Sequence, residues 1–213
     1  MKIISFFAAQ EDPEEFQQWV LSTFAPAIAA EAEGCCVNLV TPHTPSPEWD
    51  VVLETWSDSA ELLSFLNSPT LRQRANRIAS YVVQEMVEKD EGILQGWPTA
   101  GIKLIAPWTG RNDVAPTELK HHWDEHVPLA NRIHIGVQRY VRNWVDAVAV
   151  APTLFPPAYQ GIAFQYFATQ EDLIERSFDK PESIQIIADD VADFIAHHDV
   201  LLTTEHLIKA PLQ

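Results

Sequence analysis

"YVVQEMVEK" at residues 81–89 is answered later in the chain by "LLTTEHLIK" at residues 201–209. Both stretches alternate apolar and polar residues, the period of a half-buried strand. Glu85 falls on Glu205, Lys89 on Lys209 and Met86 on His206. The correspondence continues outward. "PEEF" (13–16) matches "PTEL" (116–119), Pro26 matches Pro128, and "SFLNSP" (64–69) matches "SFDKP" (177–181). A repeat of about half the chain means two fused copies, because solenoid repeats are far shorter.

Each copy reads in the same order. The first gives a strand at "KIISFFAA" and a helix from about residue 12 to 30, with Asp12 as cap and Pro13 at its first position. Strands at "CCVNLVT" and "WDVVLETW" flank a Pro-rich turn, and helical segments follow from Ser57 past Pro69. The second gives a strand at "GIKLIAP", a helix in "APTELKHHWDEHVPLANRI", and strands at "GVQRYVRNWV" and "YQGIAFQYF" around the loop "APTLFPPA". Thr169 caps the next helix, "KPESIQIIADDVADFIA" continues helically, and "VLLTTEHLIK" closes as a strand. Each half is therefore βαββαβ, a ferredoxin-like unit with helices on one face of an antiparallel sheet. The other sheet face is bare, and a second copy can cover it. The expected fold is α+β: two fused ferredoxin-like repeats packed sheet-to-sheet as an intramolecular α+β barrel. The boundary falls in "EGILQGWPTAG" (91–101), giving a first repeat over 1–95 and a second over 96–213.

Composition narrows the function. The 213 residues are 46% hydrophobic and carry a formal charge of −16. That charge argues against nucleic acid or an anionic membrane as partner, since both need concentrated Lys and Arg. No segment reads as a signal peptide or a membrane span. Cys35 and Cys36 are neighbours and cannot staple a scaffold. They read as reduced residues of a strand in a cytoplasmic protein. The chain has no glycine-rich phosphate loop, no G-x-S-x-G elbow and no CxxC pair.

The histidines are lopsided. Seven of eight lie in the second half, the exception being His43. Phe24 stands where His126 would fall, and Met86 where His206 falls. One copy is thus expected to hold a chemically equipped pocket and the other to act as its complement. In the second copy Leu119, Trp123, His126, Ala130 and Ile133 form one inward helical stripe. A histidine on that stripe is either a satisfied core residue or an acid–base group, because imidazole titrates near neutral pH. His122 and His126 have a spacing that can chelate a metal, but no HExxH pattern accompanies them, and no metal is assigned. His121 reads as a surface residue, and His43, His197 and His198 as loop residues. In the last strand Thr204 and His206 share one face and Thr203 and Glu205 the other. Alternation alone does not decide which face meets the helices.

Taken in order, "ELKHHWDEHVPLANRI", "QRYVRN", "YQGIAFQYFATQEDLIERSFDKPE" and "TTEHLI" resemble the EthD domain of the dimeric α+β barrel superfamily. The matching positions are Trp123, His126, Pro128, Arg139, Tyr140, Val141, Asp172, Pro181, Thr204, Glu205 and His206. The resemblance implies an enzyme acting on a small hydrophobic, aromatic or polyketide-like carbonyl compound. Cyclisation, isomerisation, decarboxylation, dehydration or a monooxygenase-like oxidation would proceed by His acid–base chemistry without a cofactor. His126 and His206 are expected as base and acid. Tyr140 and Tyr166 are expected as hydroxyl donors to the same cavity, between helices and sheet, with Trp123 and His122 as ligand-binding walls. The alternative is a non-catalytic ligand-binding or accessory protein of an oxidative pathway. The expected partner is a small hydrophobic molecule, and the fused pair leaves room for a homodimer.

Overall fold

The computed structural model describes residues 1–45, 47–57, 61–92, 98–150 and 158–211. The repeat boundary at 95/96 and most of the expected loop at 151–158 lie outside the described residues. The first copy supplies β1 (Lys2–Ala9), β2 (Gly34–Val40), β3 (Val51–Trp56) and β4 (Ala75–Asp90). The second supplies β5 (Ile102–Gly110), β6 (Val137–Val150), β7 (Gly161–Phe167), a short β8 (Ile195–His198) and β9 (Leu201–Lys209). The strands close in the ring β4-β1-β3-β2-β9-β5-β7-β6 and back to β4, an eight-stranded barrel with β8 on the edge of β5. Each copy contributes four strands in equivalent order. The copies meet at two related seams, β2 with β9 and β4 with β6.

Strand alternation sorts the side chains into two layers. Ile4, Phe6, Val52, Tyr81, Ile105, Ile162, Phe164 and Leu201 fill the barrel interior. Phe6 contacts the rings of Trp49, Tyr81 and Tyr159, so this part of the interior is solid with aromatic side chains. The opposite faces of the same strands carry Ile3, Phe7, Val51 and Leu53, buried beneath the helices of the first copy.

Those helices are α1 (Pro13–Trp19) and α2 (Ala25–Glu31), followed by α3 (Glu61–Leu66) and α4 (Pro69–Arg74). Asp12 caps α1 through its carboxylate, which accepts from the amides of Glu14 and Glu15 at 2.8 and 3.0 Å. Between α1 and α2 the chain makes a π-helical turn, Val20–Phe24. In the second copy the same region is one unbroken helix, α5 (Pro116–Ile133), followed by α6 (Gln170–Glu175) and α7 (Glu182–Ala192). The reason is countable. The first copy holds one more residue between Phe16 and Pro26 than the second holds between Leu119 and Pro128. A π turn absorbs a single inserted residue without breaking the helix. Phe24 is thereby delivered to the inward position that His126 takes in α5, and both are buried.

One element differs from the sequence reading. The helix expected through residue 196 ends at Ala192, and Ile195–His198 is a strand paired with the end of β5. The amide of Arg111 donates to the carbonyl of Phe194 at 2.9 Å, which turns the chain onto that edge.

Candidate active site

The inward stripe of α5 is as spaced: Leu119, Trp123, His126, Ala130 and Ile133 are all buried. His126 lies beneath α7, where Oδ2 of Asp190 sits 2.6 Å from its Nδ1. The imidazole side chain is 9% exposed and the Asp190 side chain 33%, so the pair forms at the edge of the core with one end toward water. An acid on Nδ1 fixes the orientation of the ring and leaves Nε2 as the nitrogen not engaged with Asp190. Phe194 packs beside it: its ring centroid is 6.1 Å from that of His126 and 6.1 Å from that of His122, the latter nearly parallel. Trp108 meets Trp123, Trp144 and Phe194 edge-on, and Gly161 leaves the room for it. The space expected as a cavity between helix and sheet is thus walled and largely filled by aromatic rings.

Tyr140 belongs to this layer. Its hydroxyl accepts from Nε1 of Trp123 at 3.2 Å, and burial pushes its phenol above the ordinary value, so it keeps its proton. Tyr166 does not share the layer. Its ring is in the barrel interior and its hydroxyl donates to Oε2 of Glu205 at 3.1 Å. The expectation of one cavity fed by both tyrosines is therefore corrected. The two side chains lie on opposite faces of the sheet, because Tyr140 and Tyr166 have opposite parity about the β6–β7 ladder, where Tyr140 pairs with Gln165.

His206 and His126 do not form a pair either. His206 stands on the outer face of β9, half-buried, with Nε2 3.5 Å from Oγ1 of Thr204. Burial pulls its imidazole below the usual value, against the opposing pull of the Glu205 carboxylate. Next to it, the carbonyl of Glu205 accepts from the amide of Thr99, beyond the start of β5. His126 is at the other end, against Phe194, which packs on Trp108. The strand between, Ile102 to Trp108, spans about 20 Å at roughly 3.3 Å per residue. The base–acid pair expected from the sequence is replaced by His126 with Asp190.

A second constellation, which the sequence reading missed, occupies one end of the barrel interior. Lys2 and Lys103 face inward from equivalent places on β1 and β5, and Glu85 and Glu205 from β4 and β9. Lys2 pairs with Glu85, and Lys103 pairs with Glu205 at 2.9 Å. Glu54 of β3 bridges the two halves, touching Lys103 and lying 2.9 Å from Nζ of Lys2. Asn38 donates to it at 3.0 Å. At the position equivalent to Glu54 the second copy has Phe164, whose ring lies 4.2 Å from the Lys103 ammonium and 5.0 Å from that of Lys2. Burial would raise the Glu54 pKa, but the two ammonium groups hold it well below the usual carboxylate range. Burial would likewise lower Lys103, but Glu205 and Glu54 hold it well above its usual value. Sγ of Cys36 and carboxylate oxygens of Glu54 and Glu205 lie within 4.8 Å of one another. Lys103 already supplies the positive charge there, and burial keeps the Cys36 thiol protonated. These residues make a built-in ion-pair network and a poor metal cage. Cys35 and Cys36 are free and buried on opposite faces of β2.

The sequence did hold a signal for Asp190 and Phe194. Both sit in "ADDVADF" ahead of the last strand, but reading that stretch as continuous helix hid the turn that brings Phe194 under α5.

Residues 111–198 match the EthD domain family. No curated protein matches the chain. Among solved structures, an anthrone oxidase-like protein is 14% identical, with TM-score 0.61 over 99% of this chain and 94% of its own. A candidate monooxygenase from Lactobacillus acidophilus NCFM is 13% identical, with TM-score 0.52 over 100% and 98%. A chlorite dismutase mutant from Candidatus Nitrospira defluvii is 10% identical, with TM-score 0.52 over 97% and 90%. These likenesses establish the α+β barrel fold. Their names cover different chemistries, so the chemistry of this chain has to be argued from its own residues.

Proposed function

Starting from an EthD domain over residues 111–198, we propose that the chain acts on a small hydrophobic carbonyl compound, aromatic or polyketide-like, and that His126 removes a proton from the carbon beside the carbonyl. Nε2 of His126 takes the proton, and the C–H electron pair passes to the carbonyl oxygen to give an enolate. Asp190 orients the ring and balances the imidazolium charge. The Tyr140 hydroxyl, which accepts from Trp123, has its own hydrogen to offer the enolate oxygen. Trp123 and Phe194 are the packed floor beneath His126, and the half-buried His122 is the edge at which a flat ligand reaches it. The step moves one proton and needs no metal or cofactor.

The observation that carries this reading is the 2.6 Å contact between Asp190 and Nδ1 of His126, formed on a buried aromatic face. The likeness to an anthrone oxidase-like protein suggests a probe: anthrone, a tricyclic ketone with an acidic methylene. The test is turnover of anthrone in air, together with mass spectrometry of small molecules that co-purify with the wild-type chain and are lost in His126→Ala. Turnover that needs His126 supports the reading. Retained ligand without turnover favours a binding or accessory protein of an oxidative pathway. That second reading draws on the separation of His206 from His126, which leaves the base without its expected acid partner.

A further inference from the structure

The first copy is not bare where the second holds His126. The barrel register aligns the two copies residue by residue. Ala9 pairs with Ala75 in the first, and Gly110 pairs with Ile195 in the second, each at a register shift. The amide of Gln10 donates to the carbonyl of Arg74 at 2.7 Å, and the amide of Arg111 donates to that of Phe194 at 2.9 Å. Arg74 is therefore the counterpart of Phe194. Trp19, three residues after Phe16, is the counterpart of His122, three after Leu119. The contact is kept while the chemistry changes. Where the Phe194 ring stacks on His122, the Arg74 guanidinium lies 4.9 Å from the Trp19 ring. Trp19 is in turn stacked on Phe24, the counterpart of His126, at 5.1 Å.

We infer that this groove in the first copy is a ligand site for a planar aromatic monoanion, an aromatic carboxylate or phenolate, held by Arg74 beside the Trp19 indole, which Phe24 backs from the core. The inference does not rest on the function proposed for His126. The groove has a volume of about 570 Å³, room for two or three fused rings. The Arg74 side chain is exposed, and its guanidinium makes no hydrogen bond or ion pair among the described residues. Stacking leaves its fork of donors in the guanidinium plane, where a carboxylate is met by two parallel bonds. The π turn places Ser22 and Thr23 on the same rim. The Ser22 hydroxyl donates to the carbonyl of Gln18 at 2.7 Å and lies 3.4 Å from the Thr23 hydroxyl, which leaves it one lone pair for a ligand hydroxyl. Glu14 and Glu15 also line the groove, so a single carboxylate is admitted only where Arg74 meets it, and a phosphate monoester or a dicarboxylate is disfavoured. The groove has no histidine among its lining residues, and α4 ("PTLRQR") offers no acid in the manner of Asp190. It binds without turning over.

The test is isothermal titration calorimetry of the full chain with anthraquinone-2-carboxylate and with its neutral carboxamide. Measurements at ~0.15 M salt screen the overall −16 charge. The expected result is saturable binding of the carboxylate by wild type and equally by His126→Ala. Arg74→Gln should lose about tenfold or more in affinity, the worth of one charge-assisted pair, and the carboxamide should bind wild type as weakly. Arg74 is exposed, so its variant tests the site and not the fold, and circular dichroism confirms that. Unchanged affinity in Arg74→Gln, loss of binding in His126→Ala instead, or no saturable binding by wild type would each overturn the inference.

Discussion

Asp190 reaches from α7 to within 2.6 Å of Nδ1 of His126, across the gap between two helices that are distant in sequence. The contact has a consequence for kinetics. If Asp190 acts only through the imidazole, Asp190→Asn lowers kcat on anthrone and leaves KM nearly unchanged. His126→Gln should lower kcat by ~10²–10⁴-fold, the usual worth of a positioned proton transfer. The double variant should fall no further than His126→Gln alone, because residues acting as a unit are not additive.

The lumen network sets a stability prediction. Glu54 and Glu205 have lowered pKa values in the folded chain. Their contribution is fully present above the ordinary carboxylate value of ~4.3 and is lost as pH falls below it toward the folded values. Lys103, raised in the fold, contributes below its ordinary value of ~10.4 and loses that contribution as pH rises beyond it. Urea midpoints measured from pH 7 down to 3 should fall in wild type and fall less in Glu54→Gln. At pH 7 Glu54→Gln should cost about 3–5 kcal/mol, because it leaves buried ammonium groups under-compensated.

Gly161 is the gap into which two indoles fit. A Cβ there would lie 2.5 Å from Nε1 of Trp108 and 2.5 Å from Cζ3 of Trp123. Gly161→Ala should destabilise by ~1–3 kcal/mol through overpacking. Because Trp123 holds the Tyr140 hydroxyl, it should also lower turnover.

The π turn predicts a tolerated deletion. Removing the exposed Ser22 should convert Val20–Phe24 to ordinary α-helix, with Phe24 and Pro26 still in the places of His126 and Pro128. The melting temperature should stay close to that of wild type. Removing one residue from the unbroken α5, for example Asp124, should rotate His126 off the buried face and lower stability sharply.

Much of the fold was legible because the chain states it twice. Glu85 on Glu205 and Pro26 on Pro128 gave the repeat, and strand period gave the bare faces that the barrel closes. The site was legible only in part. The stripe Leu119–Trp123–His126 follows from helical spacing, but whether His206 meets it depends on where β9 enters the ring, a tertiary fact that period two does not carry. Tyr140 and Tyr166 looked alike on adjacent strands, and their opposite parity follows from a register that includes a shift between Val137 and Arg139. The Lys–Glu network was hidden because five charged residues on separate strands meet only when the ring is closed.

The most direct measurement is hydrogen–deuterium exchange at the methylene of anthrone, followed by proton NMR in deuterated buffer under nitrogen. It reads proton abstraction alone, before any later step. Wild type should accelerate exchange well above the buffer rate, and His126→Gln should return it to that rate. Exchange at the buffer rate with wild type present, or equal acceleration by both proteins, would contradict the account.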